Sequence, residues 1–588
     1  MLQVFKRAVL GSPLATAALA HQRLTKLKAL SVLSSDALSS VAYATEEIIL
    51  VLSAVTVVGA TNFSMPVAIA ITLLLGVIGM SYRQTIFAYP QGGGSYIVAR
   101  DNLGTLPSLV AAASLMIDYV LTVAVSIAAG IANLASAIPG MQGHNELYCI
   151  LCIVGLTVIN LRGLKESATV FAIPTYCFIF LILTMLGAGG YQWFTGTLHI
   201  VTDAATPAVG DLGWFVILKA FASGCSAMTG IEAISDGIPT FQKPESRNAA
   251  TTLTWLVCIL ATMFIGITFL AHAMGIGIKE GQTVLAQISH AVFGGGVMFY
   301  ATQFATMMIL VLAANTSYAD FPRLSSFIAR DGFLPRQLGS MGDRLVFSNG
   351  IIMLGVLASV LIIAFQGDTH ALIPLYAVGV FLSFTLSQSG MVRRWYRERS
   401  PGWRWKMGVN VIGAIATGVV CLIIGTTKFA DGAWIVVALI PCFVYLFMKI
   451  HEHYIRTNSQ LSLAGVSAVA EAAKTVDNTV LILVANVHRG VVGALRYVKT
   501  IGPDVRAVYI DVNGDNALRM AEIWGQWGQG IPLVVLESPY RSITDPLITY
   551  IRQLQTNPEK MVTVVLPEFV TSRWWENALH NQTAFAIK

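Results

Sequence analysis

A polar interruption inside a long apolar run restricts what this chain can fold into more than any other feature. The run extends from about residue 29 to residue 59, and the segment Ser34–Ser40 (Ser-Ser-Asp-Ala-Leu-Ser-Ser) lies in its first third. A run of that length spans a bilayer, where a carboxylate is costly unless it faces a cavity, a cation or a partner. Serine hydroxyls can bond backbone that has left the helix. We therefore predict a broken transmembrane helix with Asp36 at the break.

The rest of the chain to about residue 450 reads as further membrane spans. Only 12% of the residues are charged, about half the share usual in soluble proteins. Basic side chains lie in alternate loops, and the intervening loops hold only Lys279 and Lys428. This bias predicts a multi-pass protein of the cytoplasmic membrane with both termini in the cytoplasm. The twelve predicted spans are 29–59, 64–88, 105–137, 147–161, 168–190, 211–239, 250–276, 296–318, 346–366, 370–392, 407–427 and 431–449.

Composition divides the chain into four parts. Residues 1–28 form a cytoplasmic N-terminal segment, 29–450 a transmembrane transporter domain, 451–478 a polar linker and 479–588 a cytoplasmic α/β domain. In the last part, four β-rich runs alternate with helical patterns, which predicts a small parallel sheet. Two further short helices are expected, one on or in the membrane surface at 277–296 and an amphipathic connector at 319–336.

A second break is predicted in the sixth span. Residues 221–232 (Phe-Ala-Ser-Gly-Cys-Ser-Ala-Met-Thr-Gly-Ile-Glu) place two glycines, two serines and a threonine in mid-span, followed by Glu232. Glycine permits unwinding of a helix. The two breaks lie five spans apart, so spans one to five and six to ten would be inverted repeats with matching broken helices, the pattern of a secondary transporter. The alternative is that these small residues serve only helix packing.

Several strings resemble known transporters. Residues 88–96 (Ala-Tyr-Pro-Gln-Gly-Gly-Gly-Ser-Tyr) look like a segment of amino acid–polyamine–organocation (APC) permeases. Residues 33–47, 223–232 and 314–323 are similar to the KimA-type potassium importers, related to the KUP group. The resemblance implies an all-α membrane domain of about 12 helices with a 5+5 inverted repeat (LeuT-like) and broken helices 1 and 6. It also implies a C-terminal cytoplasmic α/β domain like the universal stress proteins.

The charges favour a cation as the substrate. Amino-acid permeases usually present glycine-rich backbone in span one to bind a carboxylate, whereas this chain has Asp36, which would repel one. Asp118, Thr122 and Ser126 share one face of span three, and Thr229 and Glu232 share one face of span six. The resemblance implies that potassium and proton coupling use Asp36, Tyr43, Asp118, Tyr119, Thr122, Ser126, Thr229, Glu232 and Tyr376, with K⁺ held at Asp36, Asp118, Tyr119, Thr122 and Thr229.

Three acids near one dehydrated site cannot all ionise comfortably. We therefore expect proton-coupled import of K⁺, with Glu232 as the proton carrier. Asp236 is expected to be solvated, and Lys219 to reach outward or to pair with an acid. Asn315 and Thr316 could face span one and form a sodium-type site.

The remaining expectations concern partners and alternatives. K⁺ and H⁺ are transported ions, and no cofactor, nucleic acid or enzymatic activity is expected. The expected partners are the lipid bilayer, a second copy of the chain joined through the cytoplasmic domain, and a regulatory nucleotide on that domain, for which cyclic dinucleotides are candidates by resemblance. An amino-acid or polyamine permease and a non-transporting membrane sensor stay open as alternatives, since a polyamine would also bind the three acids.

Overall fold

The computed structural model describes most of the chain in two compact units. Of the residues after 21, one unit comprises 22–327 and 349–446, and the other comprises 328–348 and 447–588. The residues described are 23–54, 60–92, 94–141, 143–163, 167–198, 200, 213–279, 281–342, 346–461, 478–512, 516–538, 542–555, 561–568 and 587.

Helices make up the described part of the chain up to Leu461. Nine apolar segments among the described residues are long enough to cross a membrane, and one of them, Trp214–Asp236, is a broken span and not a single helix. Two shorter apolar helices, Asn145–Leu161 and Ser348–Ala364, also coincide with predicted spans. Together with the first predicted span, which is divided into three helices, these segments match the twelve predicted spans in position. The helices are α1 (Lys26–Leu33), α2 (Ser35–Ser39), α3 (Val41–Ser53), α4 (Ser64–Ala88), α5 (Gly94–Leu103), α6 (Thr105–Ala137), α7 (Asn145–Leu161), α8 (Ser167–Phe194), α9 (Trp214–Gly224), α10 (Glu232–Asp236), α11 (Glu245–Met274), α12 (Val284–Phe293), α13 (Val297–Arg330), α14 (Ser348–Ala364), α15 (Thr369–Glu398), α16 (Trp403–Thr427) and α17 (Trp434–Leu461).

Two of the sequence expectations about helix ends differ from the structure. The amphipathic segment expected at 319–336 as a separate connector is, as far as Arg330, the continuation of α13. Pro322 lies inside this helix without ending it. Helix α17 runs on to Leu461, so the first part of the predicted linker is helical, and its remainder lies outside the described residues. Helix α12 confirms the short helix expected within 277–296.

Both predicted breaks are present, and they differ in kind. The first span is interrupted at Ser34 and Ser40, whose dihedral angles stay in the right-handed helical region, so the chain direction is largely kept. The second span unwinds fully: a 3₁₀ turn at Cys225–Met228 leads to Thr229, which is extended (φ −74°, ψ 157°), and Gly230, which is left-handed (φ 76°). A left-handed residue costs little only when it is glycine, so Gly230 permits the sharper break.

Helix α6 forms the centre of the membrane unit because small side chains let its neighbours approach. Almost every residue from Ser108 to Ile131 is buried. A Cβ on Gly130 would lie 3.4 Å from the side chain of Leu310 in α13, and a Cβ on Gly379 in α15 would lie 3.0 Å from the carbonyl oxygen of Ser114. In a bilayer, such close packing is a main source of helix association. It brings α6 beside both broken spans.

The C-terminal domain confirms the predicted parallel sheet. The strands β1 (Asn478–Leu483), β2 (Asp504–Asp511), β3 (Leu533–Glu537) and β4 (Met561–Val565) pair in the order β3-β2-β1-β4, all parallel. Helices α18 (Arg489–Ile501), α19 (Ala517–Trp527) and α20 (Thr544–Leu554) follow the first three strands. Helices placed on sheet faces bury the apolar sides of these strands, and Leu495 and Trp524 contribute to that core. The last helical pattern of the sequence, at residues 572–580, lies outside the described residues.

Candidate cation site between the broken helices

Asp36 lies where the two broken spans meet. It occupies the first turn of α2, is buried, and its Oδ1 atom has no hydrogen-bond partner. Its Oδ2 atom lies against the unwound backbone of the second span, because a Cβ on Gly230 would be 2.6 Å from it. The hydroxyl of Ser40 ties the same two segments by donating to the carbonyl oxygens of Ala37 (2.6 Å) and Ala227 (3.1 Å). The predicted pairing of the two breaks is therefore confirmed in geometry.

A chain of hydroxyls lines one side of this junction. The hydroxyl oxygens of Tyr43 in α3 and Tyr376 in α15 are 3.2 Å apart, and Tyr376 also bonds the hydroxyl of Thr229. Thr229 in turn donates to the carbonyl oxygen of Ser226 at 3.1 Å. All three side chains are buried. Tyrosines near the ends of membrane spans are commonly interfacial residues, but the structure brings Tyr43 and Tyr376 to the broken helices.

Helix α6 and the restart of the second span supply the other acids. Asp118 and Thr122 are buried on one face of α6, and Asp118 Oδ1 and Thr122 Oγ1 have no hydrogen-bond partner. Glu232 begins α10, where its Oε2 atom is also buried and unpartnered. The carboxyls of Asp118, Glu232 and Asp36 are close enough to interact electrostatically. Ser126 is buried further along α6, and no hydrogen bond of the described residues joins it to the others.

Tyr119 points to a different partner from Asp118. Its hydroxyl donates to Asp236 Oδ2 at 3.1 Å. Asp236 was expected to be solvated; instead it is buried, because Gly94 packs directly against its carboxyl group. A Cβ on Gly94 would be 1.9 Å from Asp236 Oδ1. This close approach explains why the segment before span three has a glycine at position 94. Arg323 completes this second group with contacts of 3.4 Å to the carbonyl oxygen of Asp236 and to Asp320 Oδ1.

Sequence reasoning missed Asp320 and Arg323. Asp320 is 2% exposed within α13 and its Oδ2 atom is unpartnered. The signal was present, because carboxylates inside a membrane span are functional by default, but the segment was read as a connector outside the membrane.

The residues proposed for a sodium-type site separate in the structure. Thr316 does face the first span: its hydroxyl is 2.8 Å from Ser35 Oγ and 3.2 Å from the carbonyl oxygen of Val32. Asn315 turns away, and its amide oxygen accepts from Asn160 Nδ2 in α7 at 2.7 Å. Only Thr316 is therefore placed to serve a site against span one.

Lys219 forms an ion pair with Asp431, with 2.7 Å between Nζ and Oδ2. Pairing with an acid was one of the two roles expected for this lysine.

In the C-terminal domain, arginines near the strand ends could bind a ligand by their position in the sequence, and the structure gives them different surroundings. Arg506 bonds both carboxylate oxygens of Asp504 at 3.0 and 3.1 Å and the hydroxyl of Tyr550 at 3.3 Å, and Asp504 raises the pKa of this guanidinium. It is therefore held within the sheet. Arg489 begins α18, and Arg541 lies outside the described residues.

The site presents buried oxygen atoms of the kind that a cation without its water requires. Buried polar atoms almost always have a partner, yet Asp36 Oδ1, Asp118 Oδ1, Thr122 Oγ1 and Glu232 Oε2 have none in the described part of the chain. The hydrogen bonds and ion pairs of these three carboxyls involve no lysine or arginine there. Oxygen donors of this kind suit a hard monovalent cation. Two broken helices around buried carboxyls define a secondary-transporter architecture.

Comparisons with known proteins agree with this class. Residues 24–470 match the amino acid permease family, and residues 476–588 match the KimA potassium transporter C-terminal domain. The chain is 42% identical over its whole length to the potassium transporter KimA of Bacillus subtilis strain 168, of which it covers 97%. The chain belongs to the KimA family of potassium transporters within the APC superfamily.

More distant similarities also exist. The chain is 22% identical to the low-affinity putrescine importer PlaP of Escherichia coli K12, over 58% of this chain and 76% of PlaP. A manganese transporter of Eremococcus coleocola, solved with an aromatic bis-isothiourea compound, aligns over 74% of this chain and 95% of its own, with 13% identity and a TM-score of 0.37.

Proposed function

We propose that this protein imports K⁺ across the cytoplasmic membrane by symport with protons. The observation that carries the proposal is the set of buried, unpartnered oxygens at Asp36, Asp118, Thr122 and Glu232. A potassium transporter that is 42% identical over the full chain supports the choice of ion.

The donor set favours K⁺ over a transition metal. Transition metals such as Zn²⁺ and Cu²⁺ prefer imidazole or sulfur ligands, and neither type of side chain occurs among the residues proposed to hold the ion. The oxygens of Asp36, Asp118 and Thr122 would complete the coordination shell, with Thr229 beside them. Ser126, Tyr43 and Tyr376 would support this shell, and Tyr119 would act through Asp236.

Glu232 would carry the proton. It lies at the helix restart of the second span, so unwinding and rewinding of this segment can move it. If K⁺ occupies the space between Asp36 and Asp118, it offsets only one of their two negative charges. An ionised Glu232 would add a further negative charge nearby, and a proton on Glu232 removes that added charge.

Rubidium uptake tests the proposal. Cells without their own potassium importers would express the native chain, Asp118→Asn or Glu232→Gln, under an imposed pH gradient. The control is Asp101→Asn, which changes an exposed carboxyl on α5. We expect uptake by the native chain and the control to rise with external acidity. Asp118→Asn should abolish uptake, and Glu232→Gln should remove its dependence on the gradient. Uptake by Asp118→Asn equal to that of the native chain would refute the proposed site.

A polyamine is the second candidate substrate, because PlaP is a relative and a diamine would also bind acids. Putrescine should therefore be tested as a competitor at the same concentrations. If putrescine competes strongly and rubidium uptake is weak, the substrate would be reassigned to a polyamine. If the protein is present in the membrane but transports neither ion nor polyamine, a sensor would be favoured.

The topology and the C-terminal domain complete the proposal. Both termini would lie in the cytoplasm, as the positions of the basic side chains indicate. The α/β domain would join two copies of the chain and bind a regulatory nucleotide at the carboxyl ends of its parallel strands. Native mass spectrometry with and without cyclic dinucleotides tests both statements.

A further inference from the structure

A second group of titratable side chains lies outside the proposed cation site. Glu46 and Glu47 are adjacent on α3, and His370 lies in the first turn of α15. The Nδ1 atom of His370 is 2.8 Å from Glu47 Oε1, and its Nε2 atom is 3.6 Å from Glu46 Oε1. One imidazole therefore bridges two carboxylates.

The same group reaches a third helix. Glu46 Oε2 accepts a hydrogen bond of 3.0 Å from the backbone N–H of Val284, the first residue of α12. A carboxylate at a helix N-terminus satisfies a backbone donor and interacts favourably with the helix dipole. The cluster thus ties α3, α12 and α15 together at one point.

These helices also hold parts of the cation site. Tyr43 lies one turn before Glu46 and Glu47 on α3, and Tyr376 lies less than two turns after His370 on α15. A separation of the two helices at His370 would therefore also separate the hydroxyls of Tyr43 and Tyr376.

His370 is the most exposed member of the cluster. The His370 side chain is 43% exposed, whereas those of Glu46 and Glu47 are 10% and 2% exposed. The imidazole is therefore the group of the cluster that is best placed to exchange a proton with its surroundings. The other charged groups around it are Asp368 at the N-cap of α15 and Lys428, which interacts with Glu47. Asp431 lies near Lys428 and is paired with Lys219.

We propose that His370 is a positioning residue for transport, which takes up an external proton and holds α3 and α12 against α15 over the loaded site. This inference rests on the proposed proton-coupled import, and on the charge bias that places this end of the bundle outside the cell. It adds a proton-dependent contact that is separate from Asp36, Asp118 and Glu232.

The direction of the pH effect follows from the charges. An imidazolium makes an ion pair with Glu47 and offsets the repulsion between two neighbouring carboxylates, whereas a neutral imidazole makes one ordinary hydrogen bond. The conformation in which the contact is made therefore binds the proton more tightly than the one in which it is broken. By linkage, external acid stabilises the closed contact and external alkali weakens it.

Hydrogen exchange at the start of α12 tests the contact itself. We would compare the exchange of residues 284–287 in the purified full-length protein between about pH 6 and about pH 8.5, a range in which histidine changes charge, after correction for intrinsic rates. The variants are His370→Gln, which cannot become charged, and His370→Lys, which stays charged. The control is His272→Gln, which changes an exposed histidine near the end of α11.

In the native protein and the control, protection should fall by about fivefold to tenfold on going to the higher pH, as expected for loss of a charge-assisted contact. His370→Lys should keep the higher protection at both pH values, and His370→Gln should show the lower protection, that of the native protein at high pH, at both. The same pH dependence in all four proteins would overturn the inference.

Rubidium uptake against external pH separates this inference from the proposed function. His370→Gln should still import rubidium, with a shallower rise in acid than the native chain. Uptake by this variant with the native pH profile, together with unchanged exchange, would refute the role of His370 and leave the proposed function intact. A native chain without any uptake would refute the proposed function, while the exchange experiment would still decide whether the contact depends on His370.

Discussion

Gly230 offers the sharpest test of how the broken helix shapes the cation site. It combines a left-handed backbone (φ 76°) with close packing against Asp36 and Ala37. A Cβ at this position would lie 2.6 Å from Asp36 Oδ2 and 2.8 Å from the backbone nitrogen of Ala37. Gly230→Ala must therefore strain the backbone and also displace the carboxyl group that is proposed to bind K⁺.

The magnitude of the effect can be estimated in two parts. A left-handed conformation costs a non-glycine residue about 1–2 kcal/mol. Overpacking of a buried contact costs about a further 1–3 kcal/mol. If Asp36 moves to relieve the contact, K⁺ binding should weaken by about tenfold or more, since each 1.4 kcal/mol is about tenfold in affinity.

Gly196→Ala is the matched control, because Gly196 is also left-handed (φ 70°) and nothing lies within 4 Å of its Cβ position. Both variants should lower the thermal unfolding midpoint of the purified protein, but only Gly230→Ala should weaken K⁺ binding, measured by competition with labelled rubidium. Equal K⁺ affinity in the two variants would refute the packing argument.

Three further predictions test the surroundings of the site and the C-terminal domain. Tyr119→Phe removes the hydroxyl that bonds Asp236 and should reduce both stability, by about 1–3 kcal/mol, and rubidium uptake, whereas Tyr318→Phe, which loses a 2.8 Å bond to Thr157, should leave uptake unchanged. Leu495→Ala should destabilise the C-terminal domain by about 2–5 kcal/mol, seen as a lower unfolding midpoint for that domain in calorimetry of the full chain, because Leu495 is fully buried against the sheet. Burial lowers the pKa of His488 below its usual value, so the unfolded state binds more protons than the folded state. The free energy of unfolding of this domain should therefore fall with acidification below about pH 6.5. His488→Gln should reduce this dependence.

Much of the fold follows from the sequence because a bilayer imposes strong rules. Apolar length sets the spans, basic side chains set the alternation of loops, and glycine with serine in mid-span marks the breaks. The prediction of a separate connector at 319–336 was wrong for a related reason. Asp320 and Arg323 gave this part of α13 an amphipathic pattern, although Arg323 contacts Asp320 and the backbone of Asp236 inside the protein.

The site was predictable in its residues more than in its contacts. The rule that carboxylates inside a membrane span are functional identified Asp36, Asp118 and Glu232 as candidates. The structure places Asp118 where it interacts electrostatically with the other two. Periodicity could not show that Tyr119 turns to Asp236, because its partner depends on how α5, α6 and α10 pack. The cluster of Glu46, Glu47 and His370 was missed for the same reason, since His370 lies more than 300 residues after the two adjacent glutamates in the chain.

The proposed transport depends on a dehydrated K⁺ that lies between the two broken helices. The most direct measurement is crystallography of the protein soaked with thallous ion, which replaces K⁺ and gives anomalous scattering. A strong peak should appear in direct contact with the carboxyl oxygens of Asp36 and Asp118, and Asp118→Asn should lose it. The absence of a peak there at saturating thallium, or a peak only beside Thr316 and Ser35, would contradict this placement of K⁺.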